Sequence, residues 1–181
     1  MAPETIAFVR HHMPYRDCAG IALFNRQGQV FIGRRKTKGD TEASAQHGSA
    51  WQMPQGGIDK GEEPIDAARR ELYEETGVTS IKLIAEAPDW VQYDLPDDLL
   101  GVAFKGKYRG QRQRWFAFLF TGKESDINVQ SPGNGQFHAE FEDWRWEDLA
   151  KTPDLIVPFK RIAYEQVVSI FADIPNQIRH G

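Results

Sequence analysis

The chain has 181 residues, 40% of them hydrophobic, which is enough for one domain with a full core. Its net charge of −4 excludes a global basic field of the kind that drives non-specific nucleic-acid binding, so any such contact must be local. A single cysteine, Cys18, excludes an internal disulfide and a cysteine-rich zinc site, and no apolar run approaches the length of a membrane span.

Residues 1–14 carry no strong pattern and read as a loosely held arm. They lack the apolar core of a signal peptide, so the cytoplasm is the expected location. Residues 15–24 turn apolar from Cys18 and predict a buried strand. Residues 25–28 (NRQG) predict a turn and 29–33 the returning strand of a hairpin. Arg34, Arg35 and Lys36 follow. One reading is a water-facing strand end; the other is phosphate contact, because a planar guanidinium holds phosphate oxygens in two parallel bonds. Residues 37–50 are small and polar and predict a long surface loop, in which His47 reads as neither acid nor ligand.

Residues 51–54 (WQMP) read as a short extended piece leading into Gly56 and Gly57, expected to form a turn that lets backbone come close to a neighbour. Pro64 suits a first helical turn, 65–76 is helical in composition, and Gly77 fits a left-handed cap. Ile65, Ala68 and Leu72 should face the core. Glu71, Glu74 and Glu75 fall at i, i+3 and i+4 and share one side, where their repulsion costs a few tenths of a kcal/mol per pair, about 0.2–0.5. A hard divalent cation offsets that most simply, and Mg²⁺ commonly bridges carboxylates to substrate phosphates. Arg70 can reach Glu62 or Glu71 and hold a carboxylate in place. A solvated acidic helix face is the alternative.

Residues 80–86 and 90–95 predict strands. Residues 105–114 are the most basic stretch and read as a loop feeding the aromatic strand 115–120, expected to be buried on both faces. Tyr108 among those charges suggests a nucleotide or phosphate contact. Residues 126–130 read as a short strand. In 140–146 a period of two places Glu140, Glu142, Trp144 and Trp146 opposite Phe141, Asp143 and Arg145. A final helix over 159–171 is expected to bury Ile162, Val167, Ile170 and Phe171, followed by a frayed end. The organisation expected is an arm (1–14), one domain (15–172) and a tail (173–181).

The run from Gly56 through Glu62, Arg70-Glu71-Leu72 and Glu74-Glu75 to Gly77-Val78 resembles the Nudix box at every defined position. Further stretches resemble one branch, the bacterial RNA 5′-pyrophosphohydrolases and the asymmetrically cleaving dinucleoside tetraphosphate hydrolases. They are Tyr15-Arg16, 25–28 with Arg34-Arg35, 51–64, Trp90 to Tyr93 with Leu95-Pro96, 110–116, Glu140-Phe141 with Trp144 to Trp146, and 157–161. The resemblance implies an α/β (α+β) Nudix fold, a mixed sheet flanked by helices. It implies cleavage of a phosphoanhydride by metal-activated water, with Mg²⁺ as cofactor and Mn²⁺ as substitute.

By that likeness Glu71, Glu74 and Glu75 hold metal, with Glu140 and the Gly56 carbonyl as added ligands and Arg70 in the catalytic group. Arg35 and Lys160 meet phosphates, Phe159 stacks on a base, and Tyr93, Lys107 and Arg114 lie on the substrate side. The substrates implied are diadenosine tetraphosphate, split to ATP and AMP, and 5′-triphosphorylated RNA, with no DNA or membrane partner and a monomer favoured. A catalytically dead Nudix module acting as a nucleotide or RNA sensor is the alternative, and the intact glutamate set argues against it. The loop over 36–50 is longer here than in the bacterial RNA enzymes.

Overall fold

The computed structural model describes residues 2–36 and 50–181. The long loop expected over 37–50, with His47, lies outside the described residues apart from Ala50. In chain order the elements are α1 (Pro3–His12), β1 (Tyr15–Phe24), β2 (Val30–Arg35), β3 (Trp51–Gln52), β4 (Gln55–Gly57) and α2 (Pro64–Thr76). Then come β5 (Ile81–Glu86), β6 (Val91–Asp94), β7 (Gly110–Phe120), β8 (Phe141–Glu147), α3 (Thr152–Leu155), α4 (Arg161–Ile170) and α5 (Ile174–His180).

Two strands carry apolar side chains on both faces, and that places everything else. On β1, Ala19, Ile21 and Leu23 point one way and Ala22 and Phe24 the other; on β7, Phe116, Phe118 and Phe120 oppose Trp115 and Ala117. A strand apolar on both faces must be covered on both. β1 and β7 pair in parallel along their whole length, from Tyr15 opposite Gly110 to Phe24 opposite Leu119. α2 covers one face with Ala67, Ala68 and Leu72, and α4 covers the other with Ala163, Tyr164 and Val167. The remaining strands pair antiparallel: β2, then β3, extend from β1, and β5 from β7, while β4 pairs with β1, β6 with β7 and β8 with β2. This is the mixed sheet flanked by helices that the resemblance implied.

Several local expectations change. Gly56 and Gly57 form no turn; they lie in β4, opposite Ala19 and Cys18. Residues 3–12 are helical rather than a loose arm, begun by Pro3 and tied down where Arg10 Nη1 donates to Leu95 O at 2.7 Å. The end of the chain is helical too, with Ile174 buried. Residues 126–130 are not a strand, although Ile127 and Val129 still plug the core beside α2. Arg112 and Arg114 belong to β7 rather than to a loop. On α4 the buried face is Ala163, Tyr164 and Val167, while Ile162 is 71% exposed. Tyr164 sets that face, since its hydroxyl accepts from Met53 N–H at 2.9 Å.

The alternation expected over 140–146 is broken by a bulge. Arg34 opposes Asp143 but Arg35 opposes Phe141. The extra residue turns Phe141 to the face of Trp144 and Trp146, where Phe31 meets all three rings.

Gly20 marks how tightly the central strands pack: a Cβ there would lie 2.5 Å from the Trp115 ring. Gly20→Ala is expected to destabilise the fold by about 1–3 kcal/mol, read as a lower urea midpoint at unchanged slope.

Candidate active site

The acidic face of α2 opens onto a cleft of about 610 Å³. Glu71, Glu74 and Glu75 line it together with Glu140, Gly56, Arg35 and Lys160. Ala67, Ala68 and Leu72 fasten α2 to the sheet, and Glu71 and Glu75, at i+4 from Ala67 and i+3 from Leu72, lie on that same inward side. Gly77, at φ 74°, ends the helix in the left-handed conformation, its N–H donating to Tyr73 O.

Arg70 organises the acids. Its Nε and Nη2 grip Glu62 Oε1 and Oε2 at 2.8 and 2.9 Å, and Nη2 also donates to Gly57 O at 2.8 Å. Its Nη1 reaches Glu71 Oε1 at 2.9 Å and both Glu74 oxygens at 3.4 Å. The guanidinium therefore positions carboxylates, and Arg70 is not among the residues that line the cleft. It also holds the Glu62 carboxyl well below the usual range, at about 2.

Gly56 allows the closest approach in the site. A Cβ on it would overlap the Glu71 carboxylate. Glu75 is buried, and its Oε2 accepts from Gln55 N–H at 3.2 Å. Burial first, then the charges of Glu71 and Glu140, push its carboxyl well up. Burial also raises Glu71, against the pull of Arg70. Glu140 precedes β8; with Phe141 turned to the core by the bulge, its side chain lines the cleft. Carboxylates crowded into such a place fit a divalent cation with oxygen ligands. Among the described residues no three His, Cys, Asp or Glu side chains form a ready-made metal cluster, and Arg70 bonds both Glu71 and Glu74.

Cations face these acids. Arg35 ends β2 at the cleft. Lys160 is buried, 5.5 Å from the Tyr93 ring centroid and 6.0 Å from that of Phe159, and burial plus the charge of Arg35 push its amine down to about 7. Phe159 is half-buried beside it and packs on Tyr93 at 5.8 Å. Lys107 lines the cleft as well.

Two expected substrate contacts fall elsewhere. Arg114 lies on the β7 face opposite Gln111 and Gln113, where it pairs with Glu86 and sits 5.7 Å over Trp90. Strand parity puts it there: Gln111, the β7 residue that lines the cleft, is at an odd position and Arg114 at an even one. Tyr93 is 8% exposed and lies under Phe159, its hydroxyl donating to Gln111 Oε1 at 2.7 Å.

The fold adds residues that the chain pattern did not single out. Arg16 lines the cleft, packs against Gly57 and stands 5.3 Å over the Phe104 ring. Gln111 is fully buried at the cleft wall, and its Nε2 has no hydrogen-bond partner among the described residues. Gln55 Oε1 accepts from Gln113 Nε2 at 2.6 Å. In the chain Gln111 and Gln113 fall within the 110–116 stretch of the resemblance, as a pair of amides two apart at the mouth of an apolar strand.

Residues 14–167 match the profile of the NUDIX domain. An RNA pyrophosphohydrolase from Mesorhizobium japonicum is 54% identical over 172 residues, 95% of this chain and 98% of that protein. Among solved structures, the E. coli dihydroneopterin triphosphate pyrophosphohydrolase superposes with a TM-score of 0.60 at 20% identity, covering 86% of this chain and 98% of that one. A C. elegans Ap4A hydrolase gives 0.56 at 16% identity, covering 87% and 98%.

The Glu62–Arg70 pair predicts a pH signature. A carboxyl held below its unfolded pKa adds stability above about pH 4.5 and loses it as pH falls toward 2. Glu62→Gln is expected to lower unfolding stability by about 1 kcal/mol at pH 7, solvent screening limiting the effect. In urea melts the gap to the parent should hold from pH 8 to 5 and narrow below 4.5; a gap that widens on acidification would refute the assignment.

Proposed function

The chain belongs to the Nudix hydrolase family, and on that premise we propose that it removes pyrophosphate from the 5′ end of triphosphorylated RNA in a Mg²⁺-dependent reaction in the cytoplasm. The observation that carries this reading is the pairing, in one cleft, of the α2 glutamates and Glu140 with the partly desolvated cations Arg35 and Lys160. A polyphosphate needs both: acids to hold metal and cations to hold phosphate. The likeness to an RNA pyrophosphohydrolase over 95% of this chain supports the choice of RNA.

Water adds to the α-phosphorus, the bond from that phosphorus to the α–β bridging oxygen breaks, and pyrophosphate leaves a 5′-monophosphate. Glu71, Glu74, Glu75 and Glu140, with the Gly56 carbonyl, would hold the metal. When bound, Mg²⁺, or Mn²⁺ in its place, would neutralise phosphate oxygens and lower the pKa of the attacking water. A carboxylate of the cluster would accept the proton of the attacking water. Arg70 keeps the acids together, so a substitution there acts through their positions. Arg35, Lys160 and Arg16 offset the charge of the polyphosphate, and charge-assisted bonds of this kind are about twice as strong as neutral ones. Gln111 Nε2 offers a further donor from the cleft wall. Phe159 supplies a face for the terminal base.

With Mg²⁺, the expected kcat/KM is higher for a short 5′-triphosphate RNA than for diadenosine tetraphosphate. The reverse order would make this a dinucleoside polyphosphate hydrolase. Glu74→Gln is expected to lower kcat on either substrate by about 100-fold or more with an unchanged melting temperature. A variant of near-normal rate would remove Glu74 from the machinery.

A further inference from the structure

The cleft continues past the acids onto a lip of distinct chemistry. Phe104, Lys105, Lys107 and Tyr108 line its outer wall, contiguous with Arg16. They belong to the β6–β7 loop, whose base is pinned where Leu95 N–H donates to Arg109 O at 2.7 Å and Arg109 N–H to Pro14 O at 3.0 Å. Phe104 and Tyr108 are half-buried, with ring centroids 6.4 Å apart at 72°. Lys105 and Lys107 are exposed.

Two features separate this lip from an ordinary connection. Phe104 and Lys105 are consecutive non-glycine residues in the left-handed region, at φ 53° and 57°. Such residues are strained, because Cβ crowds the carbonyl oxygen there, and strain of this kind gathers at binding sites. Charge is the second. Arg109, Arg112 and Arg114 of the same basic stretch are each neutralised, by Asp94, Asp17 and Glu86. Among the described residues no carboxylate pairs with Lys105 or Lys107. Two aromatic faces flanking two unneutralised cations match a single strand, whose bases stack and whose backbone is anionic.

We propose that Phe104 and Tyr108 form a stacking platform for bases downstream of the RNA 5′ end, with Lys105 and Lys107 on the intervening phosphodiesters. The inference rests on the RNA reading above and assigns the residues that distinguish an RNA end from a free nucleotide. Stacking tolerates any base, so the platform reads the presence of a strand rather than its sequence.

Phe104→Ala, Tyr108→Ala and Phe104→Trp test it. Turnover is measured on a six-nucleotide 5′-triphosphate RNA and on a nucleoside triphosphate. For each alanine variant, KM on the RNA should rise about tenfold more than KM on the nucleotide, with kcat on the RNA within about twofold of the parent. Phe104→Trp should restore the RNA value. Should Phe104→Ala fail to fold, Tyr108→Ala carries the same comparison. KM rising equally on both substrates, or on neither, overturns the platform.

Binding is read separately by fluorescence anisotropy with a 3′-labelled six-nucleotide RNA bearing a 5′-monophosphate. Affinity should fall about tenfold in both alanine variants. Lys105→Ala with Lys107→Ala should flatten the slope of log affinity against log salt by roughly 1.4. A parent that turns over no RNA would overturn the proposed function, and the anisotropy comparison would still decide the platform. Equal affinities in parent and variants overturn it.

Discussion

The site depends on keeping like charges together. Glu71, Glu74 and Glu75 repel one another on one helix face, and two of them resist ionisation because burial removes the water that would solvate them. Arg70 makes this tolerable. One guanidinium binds Glu62 through both oxygens, reaches Glu71 and Glu74, and donates to Gly57 O. The same group thus balances charge on α2 and ties that helix to β4. Lysine could not replace it, since a point charge cannot reach four partners in fixed directions.

β4 matters because of what it lacks. A side chain at Gly56 would collide with the Glu71 carboxylate, and one at Gly57 would crowd the Arg16 guanidinium. The bare backbone lets an acid and a base flank the same short strand. β4 is held in turn by pairing with β1, whose other edge pairs with β7. Each group at the cleft is therefore one or two elements from the most deeply buried part of the sheet, and a rigid scaffold of that kind keeps reacting groups from drifting.

A chain of amides, buried at Gln111 and Gln113 and half-buried at Gln55, continues the same support beneath the cleft. Trp115 Nε1 donates to Gln113 Oε1, and Gln113 Nε2 donates to Gln55 Oε1 and Gln111 Oε1. Gln55 N–H reaches Glu75. Buried polar groups are costly unless paired, and apart from Gln111 Nε2 the buried side-chain atoms of this chain have partners among the described residues, which favours one arrangement. It links the acid side of the cleft to the wall beneath Phe159, where Tyr93 also joins it.

By itself, the order of residues determined the acidic helix, its cap, the hairpin, the two-faced central strands and the spacing of the α2 acids. Each follows from local rules: helical spacing brings i and i+4 together, and a strand apolar on both faces must be covered on both. The resemblance added Glu140, Arg35 and Lys160, which the fold brings to the same cleft. Only the tertiary structure decided the face of each strand residue. Arg114 resembled a phosphate contact by position, yet β7 parity turns it to Glu86. A bulge reverses Phe141, and the face of α4 follows Tyr164 rather than Ile162. Arg16, Gln55 and Gln111 became site residues only because three separate strands meet there. A one-residue change of register moves a side chain to the opposite face, and register is set by partners far along the chain, so no local pattern could have contained it.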